Sequence, residues 1–109
     1  MTPDSQWRAA LIGVIEALHQ EIAALKANDV VALERATQDK LRSIEAVAAL
    51  GAAPAGVEIR ALAEEAHRLN EASRIYVNLM AANVRRRLQS LTGDAGTGYR
   101  ANGVRAAYA

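Results

Sequence analysis

Apolar residues recur every three or four positions along most of this chain, and a repeat of that length places them on one side of an α-helix. One run extends from Trp7 to Leu25, a second lies within 33–47, and a third extends from Ile59 to Leu91. Alanine, the best helix former, supplies much of the apolar content but buries little surface. The repeat therefore predicts an all-α protein with a thin core.

Capping and helix-breaking residues predict where these helices begin and end. Thr2 can cap the first helix, predicted over about 3–27, and Pro3 suits its first position. The stretch "GAAPAG" follows the second helix. There, Gly51 can take a left-handed conformation and Pro54 biases the residue before it away from helix.

The junction between the first two helices has two interpretations. Asp29 would interrupt the apolar stripe of a continuous helix, whereas it suits the N-cap of a second helix over 30–50. A tight turn at 27–29 is favoured, and a kinked continuous rod is the alternative because the turn contains neither glycine nor proline. The predicted packing face of the second helix has five members, with Lys40 on its flank: Leu33, Thr37, Leu41, Ile44 and Val47.

The third helix, predicted over about 56–92, is longer than the other two. Its repeat continues for about 35 residues, or about 50 Å. We predict an elongated, antiparallel, coiled-coil-like three-helix bundle with this long third helix. Because the shorter helices cannot cover all of it, its last turns from Tyr76 to Leu91 are expected to carry an uncovered apolar face, which usually marks a partner site.

The chain closes with a stretch of different composition, residues 93–109, in which glycines accompany two tyrosines. We predict a flexible tail after a helical bundle spanning 1–92. In an alternative interpretation, Tyr99, Val104 and Tyr108 fold back against the third helix and protect its face.

No residue set predicts catalysis, a cofactor or a metal ion. Cysteine is absent, which suits a cytoplasmic protein, and each of His19 and His67 has too few neighbouring carboxylates for a zinc site. "GDAGTG" lacks the lysine of a phosphate-binding loop. No apolar run is long enough to span a membrane, and the net charge of +1 with one arginine cluster, 85–87, predicts no nucleic-acid binding.

Three segments together resemble the FlgN-like family of flagellar export chaperones. "LKANDVVALERATQDK" is similar to that family's first helix junction, and "LAEEAHRLNEASRIYVNLM" to its third helix around an asparagine, here Asn70. "GTGYRANGV" matches a terminal tyrosine followed four residues later by glycine, here Tyr99 and Gly103. The chain departs from the family at Ser73 and Arg74, where a second asparagine and a glycine often stand.

This resemblance implies a cytoplasmic chaperone that is not an enzyme. Such proteins keep the hook-associated subunits of the hook–filament junction soluble and deliver them to the export gate of the flagellar type III apparatus. Tyr99 is then the expected contact for the cytoplasmic domain of the gate. From the helix lengths, we expect the cargo face to hold five apolar residues flanked by two arginines: Tyr76, Met80, Val84, Leu88, Leu91, Arg85 and Arg87.

A structural role without cargo is the main alternative. In that interpretation the uncovered stripe pairs with an identical subunit, and the chain is a self-associating coiled-coil module, for example an antiparallel homodimer. Nucleic-acid binding through the arginine cluster is a more distant alternative, and it would show a steep salt dependence.

Overall fold

The computed structural model describes the backbone of residues 2–108 and the side chains of residues 2–92. It contains three helices, and no strand occurs within 2–108. The helices are α1 (Pro3–Ala27), α2 (Val30–Ala49) and α3 (Val57–Tyr108). The chain divides into two units, Met1–Val77 and Asn78–Ala109. The predicted all-α class is confirmed.

Local side-chain chemistry explains the start of α1. The Thr2 hydroxyl accepts a hydrogen bond from the backbone N–H of Ser5 at 3.1 Å, and Pro3 occupies the first turn. Pro3 has no N–H to leave unpaired, and its fixed φ already suits a helix. The predicted cap and first position are both confirmed.

The junction between α1 and α2 is a two-residue turn. Asn28 adopts the left-handed conformation, with φ 57°, a region that asparagine tolerates better than most residues other than glycine. Asp29 then caps α2 by accepting a hydrogen bond from the N–H of Ala32 at 3.0 Å. The predicted turn is confirmed, and the kinked rod is wrong. Asn28 adopts the left-handed conformation that a glycine would usually provide at such a turn.

The link between α2 and α3 confirms the predicted break. Gly51 has φ 79°, in the left-handed region that favours glycine, and Pro54 lies in the same non-helical stretch. α3 begins at Val57 and extends to Tyr108, beyond the predicted end at residue 92. Glycine weakens a helix without forbidding one. A separate flexible tail from residue 93 stays a prediction, since the described side chains end at Thr92.

Within the first unit, α1 and α3 run parallel and α2 runs in the opposite direction. Arg8 pairs with Glu58 near the two N-termini, and Glu21 bonds to Ser73 further along both helices. α2 returns beside α1 because their turn is only two residues long, and its Thr37 reaches the same Glu21. This is the predicted antiparallel three-helix arrangement.

The core of the first unit lies where the three helices meet. A buried cluster has two residues from α1 and two from α3, with three half-buried residues packed against it. The buried members are Val14, Leu18, Ala66 and Leu69, and the surrounding ones are Ile15, Ile22 and Val47. Leu18 is the most buried large side chain, at 1% exposed.

The predicted packing face of α2 is confirmed only in part. Leu33, Thr37 and Val47 are half-buried, and Val47 packs against the core cluster. Leu41 and Ile44 are 52% and 44% exposed, whereas Ala36 is 1% exposed. α1 and α2 approach closely at Gly13. A Cβ atom added there would lie only 3.0 Å from the Oγ of Ser43. A close helix contact favours small side chains, so the two large residues, predicted to face the core, are displaced from it.

Candidate functional site

α3 carries one apolar stripe whose exposure differs between the two units. In the first unit the stripe belongs to the core, where Ile59 and Leu69 are buried. In the second unit Val84, Leu88 and Leu91 are 50%, 49% and 74% exposed. The same helical repeat therefore supplies core residues in one unit and surface residues in the other.

The exposed stripe of the second unit is the candidate site, which we call the α3 face: Met80, Val84, Leu88 and Leu91. Met80 is half-buried and the other three are exposed. Spacings of four, four and three residues place all four on one side of the helix. Scattered exposed apolar residues are ordinary, but a continuous apolar stripe is typical of a surface that binds another molecule.

Three consecutive arginines lie within the same turns of α3 as the α3 face, and two of them flank it. Arg85, Arg86 and Arg87 are all exposed. Since neighbouring helix positions are about 100° apart, Arg85 and Arg87 lie on the two flanks of the α3 face, and Arg86 lies on the opposite side of the helix. The face can therefore offer apolar surface to a partner along its centre and a guanidinium group at each edge.

Tyr76, predicted as part of the cargo face, lies in the first unit. It is half-buried, and the ammonium group of Lys26 lies 5.2 Å from the centre of its ring. That distance suits a cation–π interaction between α1 and α3. Part of the Tyr76 ring is therefore already occupied by a contact within the first unit.

α3 also exposes apolar residues outside the predicted cargo face. Ile75, Val77 and Leu79 are 55%, 45% and 59% exposed. Ile75 and Leu79 lie on the side of the helix away from Met80 and Val84. The signal was present in the sequence "IYVNLMAANV", where apolar residues occupy more than one side of a helix.

A buried polar cluster joins all three helices of the first unit, and sequence reasoning missed its centre. Glu21 is 3% exposed and accepts hydrogen bonds from Thr37 at 2.8 Å, from Lys40 at 3.1 Å and from Ser73. Ser73, where the chain departs from the FlgN-like pattern, is itself 3% exposed. Glu21 lies three residues after Leu18, on the same stripe of α1, and this position was the available signal.

The partners of Glu21 keep it ionised. Burial alone raises the pKa of the Glu21 carboxyl, but the hydrogen bonds from Ser73, Thr37 and Lys40, together with the charge of Lys40, lower it below the ordinary value. The carboxylate is therefore a charged acceptor that holds side chains of α2 and α3 to α1, and no role in catalysis is required to explain it.

Because of this cluster, we expect the stability of the folded protein to decrease in acid. In the unfolded chain the Glu21 carboxyl binds a proton near pH 4.5, and in the folded chain it does so only at lower pH. The contribution of Glu21 to stability is therefore complete above pH 4.5 and is lost as pH falls through the folded pKa. We expect the free energy of unfolding to fall more steeply over this window for the wild-type protein than for Glu21→Gln, which cannot titrate there. Urea denaturation at a series of pH values measures both slopes, and equal slopes would contradict this assignment.

The other ionisable residues form no comparable site. His19 and His67 are exposed, and no group of three histidine, aspartate or glutamate residues in the described part could hold a metal ion. Arg68 makes two hydrogen bonds of 2.7 Å to Glu65. The planar guanidinium fits both oxygens of the carboxylate three positions away. Within the described residues, no helix combines the length and hydropathy needed to cross a bilayer.

Tyr99, the predicted contact for the export gate, lies outside the residues whose side chains the structure describes, as do Val104 and Tyr108. By its fold, the chain is an all-α protein with an antiparallel three-helix bundle. Comparison with protein-family models, with curated proteins and with solved structures gives no match. The resemblance to the FlgN-like family stays a prediction from the sequence.

Proposed function

We propose that this protein is a cytoplasmic chaperone of the FlgN-like kind, which binds hook-associated flagellar subunits and delivers them to the export gate. The observation that carries the proposal is the exposure of Val84, Leu88 and Leu91 at helical spacing on α3. The resemblance of three sequence segments to that family supplies the identity of the cargo. The proposed activity is binding and transfer, without chemical conversion.

The α3 face suits a partner that is itself an amphipathic helix. Terminal segments of axial subunits pack as coiled coils only after assembly, and their apolar sides are prone to aggregation before it. Such a segment can lie along Met80, Val84 and Leu88 as a temporary additional helix. Ordering the segment on binding opposes part of the contact energy, which keeps the affinity moderate and permits release.

Delivery requires a second contact, for which Tyr99 remains the proposed residue. It lies apart from the α3 face in sequence, in the glycine-containing stretch 93–109. A single aromatic side chain gives a contact with a small area, which forms and breaks rapidly. In the proposed sequence of events, the gate is engaged through Tyr99 while cargo is held on α3.

The proposal predicts that charge placed on the α3 face prevents capture of cargo. In Val84→Asp/Leu88→Asp, each substitution removes a half-exposed apolar contact worth about 1 kcal/mol. We expect the affinity for a hook-associated subunit to fall by roughly thirty-fold or more. Isothermal titration calorimetry with purified subunits measures the loss, and circular dichroism checks that helix content is retained.

A matched control exists on the other side of the same helix. Ile75→Asp/Leu79→Asp introduces the same charges at 55% and 59% exposed positions, and it should leave cargo affinity within about twofold. Equal losses in both double variants, or none in either, would contradict the assignment of the site. A wild-type dimer in light scattering that is tight and unaffected by cargo would instead favour the self-associating module.

A further inference from the structure

The two units of the chain carry opposite net charge. Residues 1–77 hold eight lysines and arginines against eleven aspartates and glutamates, and residues 78–109 hold five arginines against one aspartate. The first unit is therefore acidic, with a net charge of −3, and the second is basic, with +4. The whole-chain value of +1 conceals this division.

Two of the three cationic side chains described in the second unit, Arg85 and Arg87, flank the α3 face. The five ion pairs among the described side chains involve basic residues between 8 and 74. None of them includes Arg85, Arg86 or Arg87. The flanking guanidinium groups of Arg85 and Arg87 are thus exposed at the edges of an exposed apolar stripe.

We propose that the α3 face binds an acidic amphipathic helix of another protein, one whose apolar stripe is flanked by glutamate or aspartate. The inference rests on the proposed function and names the chemistry of the cargo segment. In paired helices, charged residues beside the apolar seam set the choice of partner, because opposite charges are accepted there and like charges are rejected. Arg85 and Arg87 occupy such positions on either side of Val84 and Leu88.

A helical protein segment fits this surface better than a nucleic acid or a membrane. A nucleic-acid backbone would pair with the arginines and leave Val84, Leu88 and Leu91 exposed to water. A helix lying in a membrane surface needs a polar side opposite its apolar residues, whereas α3 exposes Ile75 and Leu79 on the side away from the α3 face. An acidic amphipathic helix covers the apolar centre and reaches both edges at once.

The experiment uses the full chain and two synthetic helical peptides with the same leucine and isoleucine repeat. One peptide carries glutamate beside its apolar stripe, and the other carries lysine. We expect the glutamate peptide to bind about tenfold more tightly at low salt, and this preference to shrink in about 0.5 M NaCl because exposed charge pairs are screened. Equal binding of the peptides, or binding of neither, would overturn the proposal.

Charge reversal on the protein makes the test specific. Arg85→Glu/Arg87→Glu should reverse the preference towards the lysine peptide, whereas Arg86→Glu, on the other side of the helix, should leave the sign of the preference unchanged. If Arg86→Glu also reversed the preference between the two peptides, the preference would depend on net charge and not on the positions of Arg85 and Arg87, and the proposal would be refuted. Tighter binding to anionic lipid vesicles or to duplex DNA than to the glutamate peptide would also refute it.

Failure of this inference can be told apart from failure of the proposed function. If Val84→Asp/Leu88→Asp loses hook-associated subunits but Arg85→Glu/Arg87→Glu binds them as the wild type does, the chaperone proposal survives and the acidic partner is wrong. If the glutamate peptide binds as expected but hook-associated subunits do not bind, the face is correctly described and the flagellar cargo is wrong.

Discussion

Replacing Glu21 with alanine is expected to lower the free energy of unfolding by about 3 kcal/mol. The carboxylate is the shared acceptor for Thr37, Lys40 and Ser73. Its removal leaves the buried Ser73 hydroxyl and the part-buried Thr37 hydroxyl and Lys40 ammonium group without their partner, and such groups are expensive to bury. Breaking a buried ion pair by removing one partner costs about 3 to 5 kcal/mol. We expect a loss at the lower end of this range because the Lys40 side chain is 19% exposed and can reach water.

Chemical denaturation followed by far-UV circular dichroism measures this loss. Glu16→Ala is the matched control, since Glu16 is an exposed glutamate of the same helix and its removal should change stability by less than about 0.5 kcal/mol. A variant in which all four members of the cluster become apolar (Glu21→Leu, Thr37→Val, Lys40→Met, Ser73→Ala) should recover most of the stability. Similar effects of the two single alanine variants would contradict the role of the cluster.

Leu18→Ala is expected to destabilise the first unit by about 3 to 4 kcal/mol. Leu18 is 1% exposed and lies in the buried cluster with Val14, Ala66 and Leu69. Shortening it removes apolar burial and leaves a cavity that two neighbouring helices can only partly close. The effect is large for this protein because alanine contributes much of its apolar content and the core has few large side chains.

Leu41→Ala is the control for this prediction. Leu41 is 52% exposed, so the same substitution should cost less than about 1 kcal/mol. Thermal denaturation of the two variants compares them directly, and we expect Leu18→Ala to lower the melting temperature by more than about 10 °C. If Leu41→Ala proved equally costly, Leu41 would face the core as the sequence pattern predicted and not lie where the structure places it.

The boundaries of the helices were accessible to sequence reasoning because their causes are local. Thr2 and Asp29 each bond to a backbone N–H only three residues away, and Asn28 and Gly51 turn the chain through their own backbone conformation. The end of α3 was harder to place, since glycines lower helix stability without setting a boundary.

The candidate site was predictable in its pattern but not in its surroundings. The repeat that contains Val84, Leu88 and Leu91 identifies one side of a helix, and helix length suggested that this side would be uncovered. The same repeat gave no sign that Tyr76 would lie beneath Lys26, because that contact joins two helices. The proposed partner of the face depends on how charge is divided between the units, which the whole-chain value hides.

Sequence alone determined the helical class and the stripe on α3, and it favoured a turn at 27–29 over a kinked rod, since each follows from residues within a few positions of one another. Only the tertiary structure decided that Leu41 and Ile44 stay exposed and why an acid is buried in α1. Glu21 meets its partners at separations of 16, 19 and 52 residues. A carboxylate is stable in the interior only when such distant donors converge on it, and no local pattern records that convergence.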